Sequence, residues 1–208
     1  MNLLVIIIIN YNSSNYTLDC IESLKKSQNK NFSVFIIDND STKKEKEKLA
    51  FIEEEFVTLY YSNTNLGFAG ANNIGIDYAI EKKFDNVLLL NNDTIVPENF
   101  INELFKAKKK YGDVVISPQI RDFNNPTLIS YAGGRISKIK GAVYINGLGK
   151  RIDEMKDEDK IITFAHGCCM FIPTSIIKRI GKMPEHYFLY FEDTAYSMKI
   201  LNAGYKII

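Results

Sequence analysis

The chain has 208 residues, 46% of them hydrophobic and 25% charged, so it can bury one full core and is predicted to form one domain with an extension. Because 26 basic residues nearly balance 25 acidic ones, the net charge of +1 gives no general attraction to nucleic acid, and we expect no nucleic-acid partner. The three cysteines, Cys20, Cys168 and Cys169, are odd in number and two are neighbours, which argues against a disulfide framework and predicts a reducing, cytoplasmic compartment.

Strand-like and helix-like segments alternate along the first half of the chain, which is the pattern of a parallel sheet covered by helices. The apolar run at residues 3–9 is too short to span a bilayer, so it predicts a buried first strand. The strands are predicted at residues 5–9, 34–37, 57–61, 87–90 and 114–117. The helices between them are predicted at residues 17–27, 43–55 and 70–81, with a fourth that is opened by Pro97.

The second half of the chain is less regular. Residues 119–160 contain Asn, Pro and Gly turns and a charged run, and we expect a mobile insertion there. Order resumes with a strand at residues 169–172 and a helix at 174–180. The last helix is predicted from Asp193 to Ala203, with Gly204 as its C-terminal stop.

Polar side chains follow the predicted strands where those strands end. The stretch VLLLNNDT at residues 87–94 delivers Asp93 to the edge of the sheet, and the strand before Asp38 has the same layout. Because the carboxyl ends of parallel strands meet at one edge, we expect the two acids to share a ligand, with Asp93 suited to holding a metal. After the first strand, Asn10, Tyr11 and Asn12 offer amide hydrogen bonds and an aromatic face, which suit a nucleobase better than a triphosphate. The chain has no phosphate loop, no dinucleotide glycine fingerprint and no glycine-rich activating loop.

Five blocks in this order resemble the family 2 glycosyltransferases of GT-A fold, particularly the rhamnosyltransferase-like branch. They are VIIIINYN at residues 5–12, IDNDS at 37–41, NLGFAGANNIG at 65–75, LLNNDT at 89–94 and FLYFED at 188–193. The resemblance implies an α/β fold with a mostly parallel central sheet and helices on both faces. It also implies one catalytic domain, with a nucleotide-sugar-binding half at residues 1–118, the insertion at 119–160 and an acceptor half with the catalytic base at 161–208.

The resemblance also implies a donor site. In similar enzymes the acid that ends the second strand recognises the base of a nucleoside diphosphate sugar, so Asp38 would pair with uracil or thymine and Tyr11 would flank that base. The family's Asp-x-Asp motif is Asn91-Asn92-Asp93 here, which leaves one carboxylate for a divalent cation, Mn²⁺ or Mg²⁺, and oxygens of the diphosphate and water would complete the site. The remaining nucleotide-sugar-binding residues implied are Asn10, Asn12, Asn65, Gly67, Asn72, Asn73, Asn91 and Asn92.

The ED pair of the last block supplies the catalytic base that the resemblance implies. An inverting transfer needs a carboxylate to take the proton of the attacking hydroxyl, and we assign Asp193 to this role with Glu192 as the fallback. The implied donor is a UDP- or dTDP-sugar, with rhamnose foremost, and the implied acceptor is a cell-surface glycan or a lipid-linked molecule. Peripheral association with the inner face of a membrane follows from such acceptors. Similar enzymes usually continue beyond this helix with further strands and a histidine that joins the metal, so we expect weak activity from a chain that stops at Ile208.

Each candidate also has a purely structural explanation that the sequence leaves open. Asp93 could cap the next helix, and Asp38 could form a turn without binding a ligand. The glycines and asparagines of residues 65–75 could serve a loop that needs positive φ angles. Glu192 and Asp193 could be ordinary acids of a first helical turn. Two other functional classes also stay open, a nucleotidyltransferase and a catalytically silent module that binds nucleotide sugars.

Two further groups of residues need an interpretation. His166, Cys168 and Cys169 are near enough in sequence for a metal cluster, but the chain has no second ligand pair at zinc-like spacing, so we favour small core residues on a strand. In the aromatic run before the ED pair, we predict that Phe188 and Phe191 belong to the core, in preference to a sugar-stacking wall.

Overall fold

A computed structural model describes residues 3–156 and 158–208 of the chain. Its centre is a five-stranded sheet in the order β3-β2-β1-β4-β9. The first four strands are parallel, and β9 runs antiparallel to β4, with Leu90 opposite Cys169. The strands of this sheet are β1 Leu4–Asn10, β2 Phe32–Asp38, β3 Val57–Tyr61, β4 Asn86–Leu90 and β9 Cys169–Pro173.

Helices cover both faces of the sheet, which explains why its central strands are apolar without alternation. On one face, Leu4, Ile6 and Ile8 of β1 pack with α1 and α4; on the other, Val5 and Ile7 pack with α3, α5 and α6. The predicted mostly parallel sheet between two helical layers is therefore confirmed. The helices are α1 Ser14–Lys25, α2 Lys43–Leu49, α3 Gly67–Glu81, α4 Phe100–Tyr111, α5 Thr174–Ile180 and α6 Glu192–Asn202.

Helix α3 lies unusually close to the central strand. A Cβ atom at Gly75 would stand 2.6 Å from a side-chain carbon of Ile7, so only glycine lets the helix approach this strand. The N-terminus of α3 is thereby fixed beside the carboxyl ends of β1 and β2.

The segment at residues 119–160, where the sequence predicts a mobile insertion, contains four short strands, and its mobility stays a prediction. Strand β5 pairs with β6 and β7 pairs with β8, both antiparallel, and a 3-10 turn at Ile152–Glu154 follows. Strands of two to four residues carry too little hydrophobic periodicity to be recognised in a sequence. Their bounds are β5 Ile120–Arg121, β6 Ile129–Tyr131, β7 Gly134–Ser137 and β8 Ala142–Ile145.

Several predicted elements have different bounds in the structure. The helix expected at residues 43–55 ends at Leu49, and α4 begins at Phe100, after the turn that contains Pro97. The strand expected at 114–117 forms isolated bridges instead, from Val115 to Ile207 and from Ile116 to Phe171. Within the described residues, no helix has the length and apolar character needed to cross a membrane.

Candidate active site

A buried hydrogen-bonded pair lies at the carboxyl ends of β1 and β2. Asn10 and Asp38 are register partners, and the Asn10 amide nitrogen donates to Asp38 Oδ2 at 2.8 Å. The backbone N–H of Ser41 donates to Asp38 Oδ1 at 3.1 Å, and Lys46 Nζ lies 3.9 Å from the same oxygen. These partners compensate the cost of a fully buried carboxylate. The bond from Ser41 also confirms that Asp38 forms a turn, while its pairing with a base stays a prediction.

The network continues from Asn10 to the loop after β4. Thr17 Oγ1 donates to Asn10 Oδ1 at 2.8 Å, and the Asn92 amide nitrogen donates to Thr17 Oγ1 at 2.9 Å and to Ser13 Oγ at 2.7 Å. A continuous chain of hydrogen bonds therefore joins Asp38 to Asn92. The two loops that the sequence predicted to share a ligand are brought together.

Asp93 follows this network and faces outward. Its side chain is exposed and makes no hydrogen bond within the described part of the chain. The helix-cap alternative is wrong, because α4 begins seven residues later and Asn99 occupies its cap position. Among residues 3–156 and 158–208, no three His, Cys, Asp or Glu side chains come together as a metal site. A single free carboxylate of this kind fits a cation whose other ligands come from a diphosphate and water.

The turn after β1 presents an aromatic ring to solvent. Tyr11 is 50% exposed, and Asn12 has a φ angle of 51°. The side-chain oxygen of Asn12 accepts from the Thr42 N–H at 2.8 Å, and its own N–H donates to Ser41 Oγ at 2.8 Å. Asn12 thus holds the turn to the loop after β2, and the ring of Tyr11 stays free to stack.

A second set of amides ties the loop after β2 to the start of α3. The side chain of Asn39 donates to Asn65 Oδ1 at 2.9 Å and accepts from the Leu66 N–H at 2.9 Å. Asn65 Oδ1 also accepts from the Gly67 N–H at 3.0 Å. Sequence reasoning missed Asn39, although it stands inside the IDNDS block. Gly67 has a φ angle of 69°, so the positive-φ explanation holds for this glycine, which begins α3, whereas residues 68–75 of the block continue the helix.

The two asparagines inside α3 have internal partners. The amide of Asn72 donates to the carbonyl of Phe68 at 3.1 Å. The side chain of Asn73 donates to the carbonyl of Met183 at 2.9 Å and to Glu185 Oε1 at 2.7 Å, and it accepts from the Met183 N–H at 3.0 Å. These contacts fasten the segment before the aromatic run to the helix. Their part in donor binding stays a prediction.

The two acids of the ED pair occupy the first turn of α6 but differ in exposure. Asp193 is half-buried and accepts from the Gly167 N–H at 3.2 Å and from the Thr194 N–H at 2.6 Å. Glu192 is 6% exposed, and its Oε2 has no partner among the described residues. Burial raises the pKa of the Glu192 carboxyl above its usual range. Of the two, Asp193 is therefore the carboxylate that a hydroxyl can reach.

One turn adjoins both candidate carboxylates. The N–H of Gly167 holds Asp193, and the next residue, Cys168, accepts at its carbonyl from the Asn91 N–H at 2.9 Å. Burial, together with the nearby charge of Asp93, raises the pKa of the Cys168 thiol to about 12. A cavity of about 830 Å³ opens beside this turn, with Asp93 and Cys168 on its wall. Asp93 and Asp193 therefore flank the turn at residues 166–168. Sequence reasoning missed the role of Gly167.

Comparison with known proteins identifies the family of this chain. The sequence profile of the family described as Glycosyl transferase family 2 matches residues 5–181. The chain belongs to this family. The match covers the first four blocks, and the fifth, FLYFED at residues 188–193, lies beyond it. It favours a glycosyltransferase over a nucleotidyltransferase.

Relatives within family 2 are distant and longer. A low-salt glycan biosynthesis hexosyltransferase of Haloferax volcanii is 26% identical over 195 residues, which are 91% of this chain and 59% of that protein. A dTDP-rhamnosyl transferase of Shigella flexneri is 26% identical over 201 residues, which are 95% of this chain and 63% of that protein. The chain thus spans about three fifths of the length of these relatives.

Solved structures share the fold at low sequence identity. A mannosyltransferase of Pyrobaculum calidifontis, in complex with GDP-Man and Mn²⁺, matches with a TM-score of 0.70 at 14% identity, over 99% of this chain and 53% of that one. GalNAc-T7 with UDP, GalNAc and Mn²⁺ matches with a TM-score of 0.77 at 15% identity, over 100% of this chain and 42% of that one. The GT-A fold expected from the sequence is confirmed.

The aromatic run of this family 2 chain lies on the surface. Phe188 is 61% exposed and Phe191 is 64% exposed, so the prediction that they belong to the core is wrong. Tyr190 and Phe191 have φ angles of 70° and 69°, and Glu192, the next residue, is the one that is buried. The alternative, a wall on which a sugar stacks, remains. By contrast Cys169 lies buried in β9, as expected of a small core residue. His166 and Cys168 are only partly buried and precede this strand, so the same prediction is wrong for them.

Proposed function

We propose that this chain is the catalytic part of an inverting, metal-dependent glycosyltransferase that moves a sugar from a UDP- or dTDP-sugar to a hydroxyl of a cell-surface glycan or lipid-linked acceptor. The observation that carries the proposal is the position of Asp93 and Asp193 on either side of the turn at residues 166–168. One carboxylate follows β4 and the other lies in the first turn of α6, and the transferred sugar would lie between them. Rhamnose is the first sugar to test, because one relative is a dTDP-rhamnosyl transferase.

The donor half of the chain binds the nucleotide sugar at the carboxyl ends of β1, β2 and β4. Asp38 would accept from the N–H of uracil or thymine, which requires the groups over its buried carboxylate to move, and the exposed ring of Tyr11 would flank the base. Asp93 would hold a Mn²⁺ or Mg²⁺ ion together with oxygens of the diphosphate. When bound, the cation neutralises the charge that develops on the departing diphosphate. Asn92 keeps the loop of Asp93 at a fixed distance from the base, because it is bonded to Thr17 and Ser13.

The acceptor half supplies the base. Asp193 takes the proton of the attacking hydroxyl while that oxygen bonds to the anomeric carbon and the bond from this carbon to the diphosphate breaks. Attack from the face opposite the leaving group inverts the configuration. The N–H groups of Gly167 and Thr194 orient the Asp193 carboxylate and leave lone pairs on both of its oxygens for the hydroxyl.

The donor site is tested by calorimetric titration with UDP, dTDP, GDP and CDP, each with and without Mn²⁺. GDP belongs in the series because a structural neighbour binds GDP-Man. We expect Mn²⁺-dependent binding of UDP or dTDP that Asp93→Ala removes. The matched control is Glu98→Ala, an exposed acid in the same loop, which should bind like the unaltered chain. Equal binding by Asp93→Ala would refute the metal assignment, and no binding of any nucleotide would refute the proposal for this chain.

A further inference from the structure

The β7–β8 hairpin has an apolar residue at its tip that nothing covers. Ile139 is 99% exposed, the highest value among the exposed large hydrophobic side chains of the described residues. It lies between Lys138 and Lys140, whose side chains are also exposed. An isoleucine that is fully in water between two lysines gains nothing from the fold. The tip therefore has the composition of a contact surface.

The hairpin holds its tip away from the core. Ile136 pairs with Val143, and these two side chains pack with the core on the inner face of the hairpin. Arg135 pairs with Tyr144 on the outer face, where the guanidinium carbon lies 5.9 Å from the centre of the ring. Because the inner face is used by the core, only the outer face and the tip remain for a partner. Both carry positive charge beside an aromatic or apolar side chain.

The charge around this hairpin is unlike that of the rest of the chain. The 208 residues carry a net charge of +1, yet residues 123–152 contain five basic residues and no acidic one. Lys138 and Lys140 form no ion pair with any residue that the structure describes. Three of the five, Arg135, Lys138 and Lys140, belong to the hairpin, whereas Lys150 and Arg151 follow it and Arg151 lies 3.2 Å from a carboxylate oxygen of Asp153. A partner that complements this surface is negatively charged.

We propose that the tip of the β7–β8 hairpin docks on an anionic phospholipid bilayer, with Ile139 entering the headgroup layer and Lys138 and Lys140 contacting lipid phosphates. Lysines near an anionic membrane contribute attraction, while the apolar side chain leaves water as it enters the interface. Arg135 and Tyr144 suit the same layer, because each combines an apolar body with a polar end. A nucleic acid or a soluble polyanion would use the lysines but offers no place for Ile139. The surface does not depend on which donor or acceptor the site uses.

The test is co-sedimentation of the 208-residue chain with vesicles of phosphatidylcholine alone and of phosphatidylcholine mixed with phosphatidylglycerol. We expect binding to the anionic vesicles that Lys138→Gln/Lys140→Gln weakens roughly 30-fold and Ile139→Ser roughly tenfold. Matched controls lie on other elements: Phe51→Ser removes a side chain that is 81% exposed, and Lys44→Gln/Lys109→Gln removes two exposed charges. Both controls should bind like the unaltered chain. Circular dichroism of every variant should stay unchanged, because all these side chains are on the surface.

Three outcomes would overturn the proposal. The first is a chain that binds neither vesicle. The second is binding that the control variants weaken as much as the hairpin variants do, which would indicate nonspecific charge attraction. The third is tighter binding to heparin or single-stranded RNA than to vesicles, with Ile139→Ser as strong as the unaltered chain, which would make the tip a polyanion site.

Discussion

The two sides of the proposed active site, the proposed donor side and the proposed acceptor side, are built in opposite ways. On the donor side, Asn10 and Asp38 are completely buried, and their polar atoms are joined to Thr17 and Asn92 in one network. On the acceptor side, residues 188–191 place four large side chains in solvent, and the backbone of Phe188 is held by a bond from the Phe68 N–H at 3.1 Å. A nucleotide would thus meet a preformed edge, whereas an acceptor would meet a surface that can still adjust.

This difference would let the donor side stay rigid while the acceptor side adjusts to its ligand. A network in which every buried group is bonded resists rearrangement, because moving one member leaves another unsatisfied. Exposed aromatic side chains, by contrast, can change rotamer without breaking the fold. A GT-A domain built this way keeps one donor geometry and can accept different acceptors through changes in a few exposed residues.

The largest expected effect comes from removing the proposed base. Asp193→Asn keeps the oxygen that accepts from Gly167 but cannot take a proton, so turnover should fall about 10³-fold while calorimetric donor binding stays unchanged. A control substitution, Asp153→Asn, alters an exposed acid away from this turn and should leave turnover intact. Unchanged turnover in Asp193→Asn would refute the assignment of Asp193 as the base, whereas donor binding without turnover in the unaltered chain would make it a module that binds nucleotide sugars without catalysis.

The next effect tests whether the donor edge is rigid. Asn10→Ala should lower the free energy of unfolding by about 3 kcal/mol, because Asp38 and Thr17 lose buried partners. Phe188→Ala on the exposed side should change it by less than about 0.5 kcal/mol. Urea unfolding of both variants measures the difference. Equal losses in the two variants would contradict the contrast between the sides.

Gly67 lies where the start of α3 contacts the backbone of Phe188, and its substitution tests how rigid this contact is. A Cβ atom here would lie 2.3 Å from the carbonyl oxygen of Phe188, and the φ angle of 69° is already costly for alanine. Gly67→Ala should lower the free energy of unfolding by about 2 kcal/mol. The loss stays this small because the exposed segment at residues 188–191 can move away from the new Cβ atom. Gly141→Ala is the matched control, with a φ angle of 59° and no atom within 4 Å, and should cost about 1 kcal/mol in the same urea experiment. A larger loss than in Asn10→Ala would mean that the acceptor segment is rigid.

The smallest effect concerns the buried neighbour of the base. Burial raises the pKa of Glu192 in the folded protein, so stability should fall as the pH rises from the unfolded value of about 4.3 through the raised folded value. Glu192→Gln removes this dependence and should raise Tm at pH 7 by on the order of 2 °C. Thermal unfolding from pH 4 to 8 checks both expectations. A lower Tm at pH 7 would indicate that the ionised carboxylate has a partner.

The sequence predicted the elements of the sheet well because the central strands are apolar on both faces. Strand β3 and helix α5 have the bounds that were predicted, and the residues after β1, β2 and β4 lie at one edge as the parallel order requires. Long uninterrupted apolar runs leave few alternatives to a buried strand. This part of the fold is therefore encoded locally.

The acceptor side was harder to predict because its geometry depends on contacts between distant residues. The N–H of Gly167 bonds to Asp193, and the close approach of Phe188 requires a glycine at position 67. Each contact links residues far apart in the sequence, so no hydrophobic periodicity predicts it. Exposure of Phe188 and Phe191 contradicts the usual rule for aromatic residues, since positive φ angles set the backbone at this turn. Hydrophobicity alone cannot reveal such angles.

The bridges of Ile207 have a consequence for the order of folding. Strands β1 to β4 all lie before residue 91 and are connected through helices α1, α2 and α3, so they can pair before the rest of the chain is synthesised. The turn that contains Gly167 precedes β9. Ile207 forms isolated β-bridges with Val115 and with Ile162. These contacts close only after residues 207 and 208 have left the ribosome. The nascent chain is therefore expected to form the edge that carries Asn10 and Asp38 before the turn beside Asp193, the proposed base, is in place.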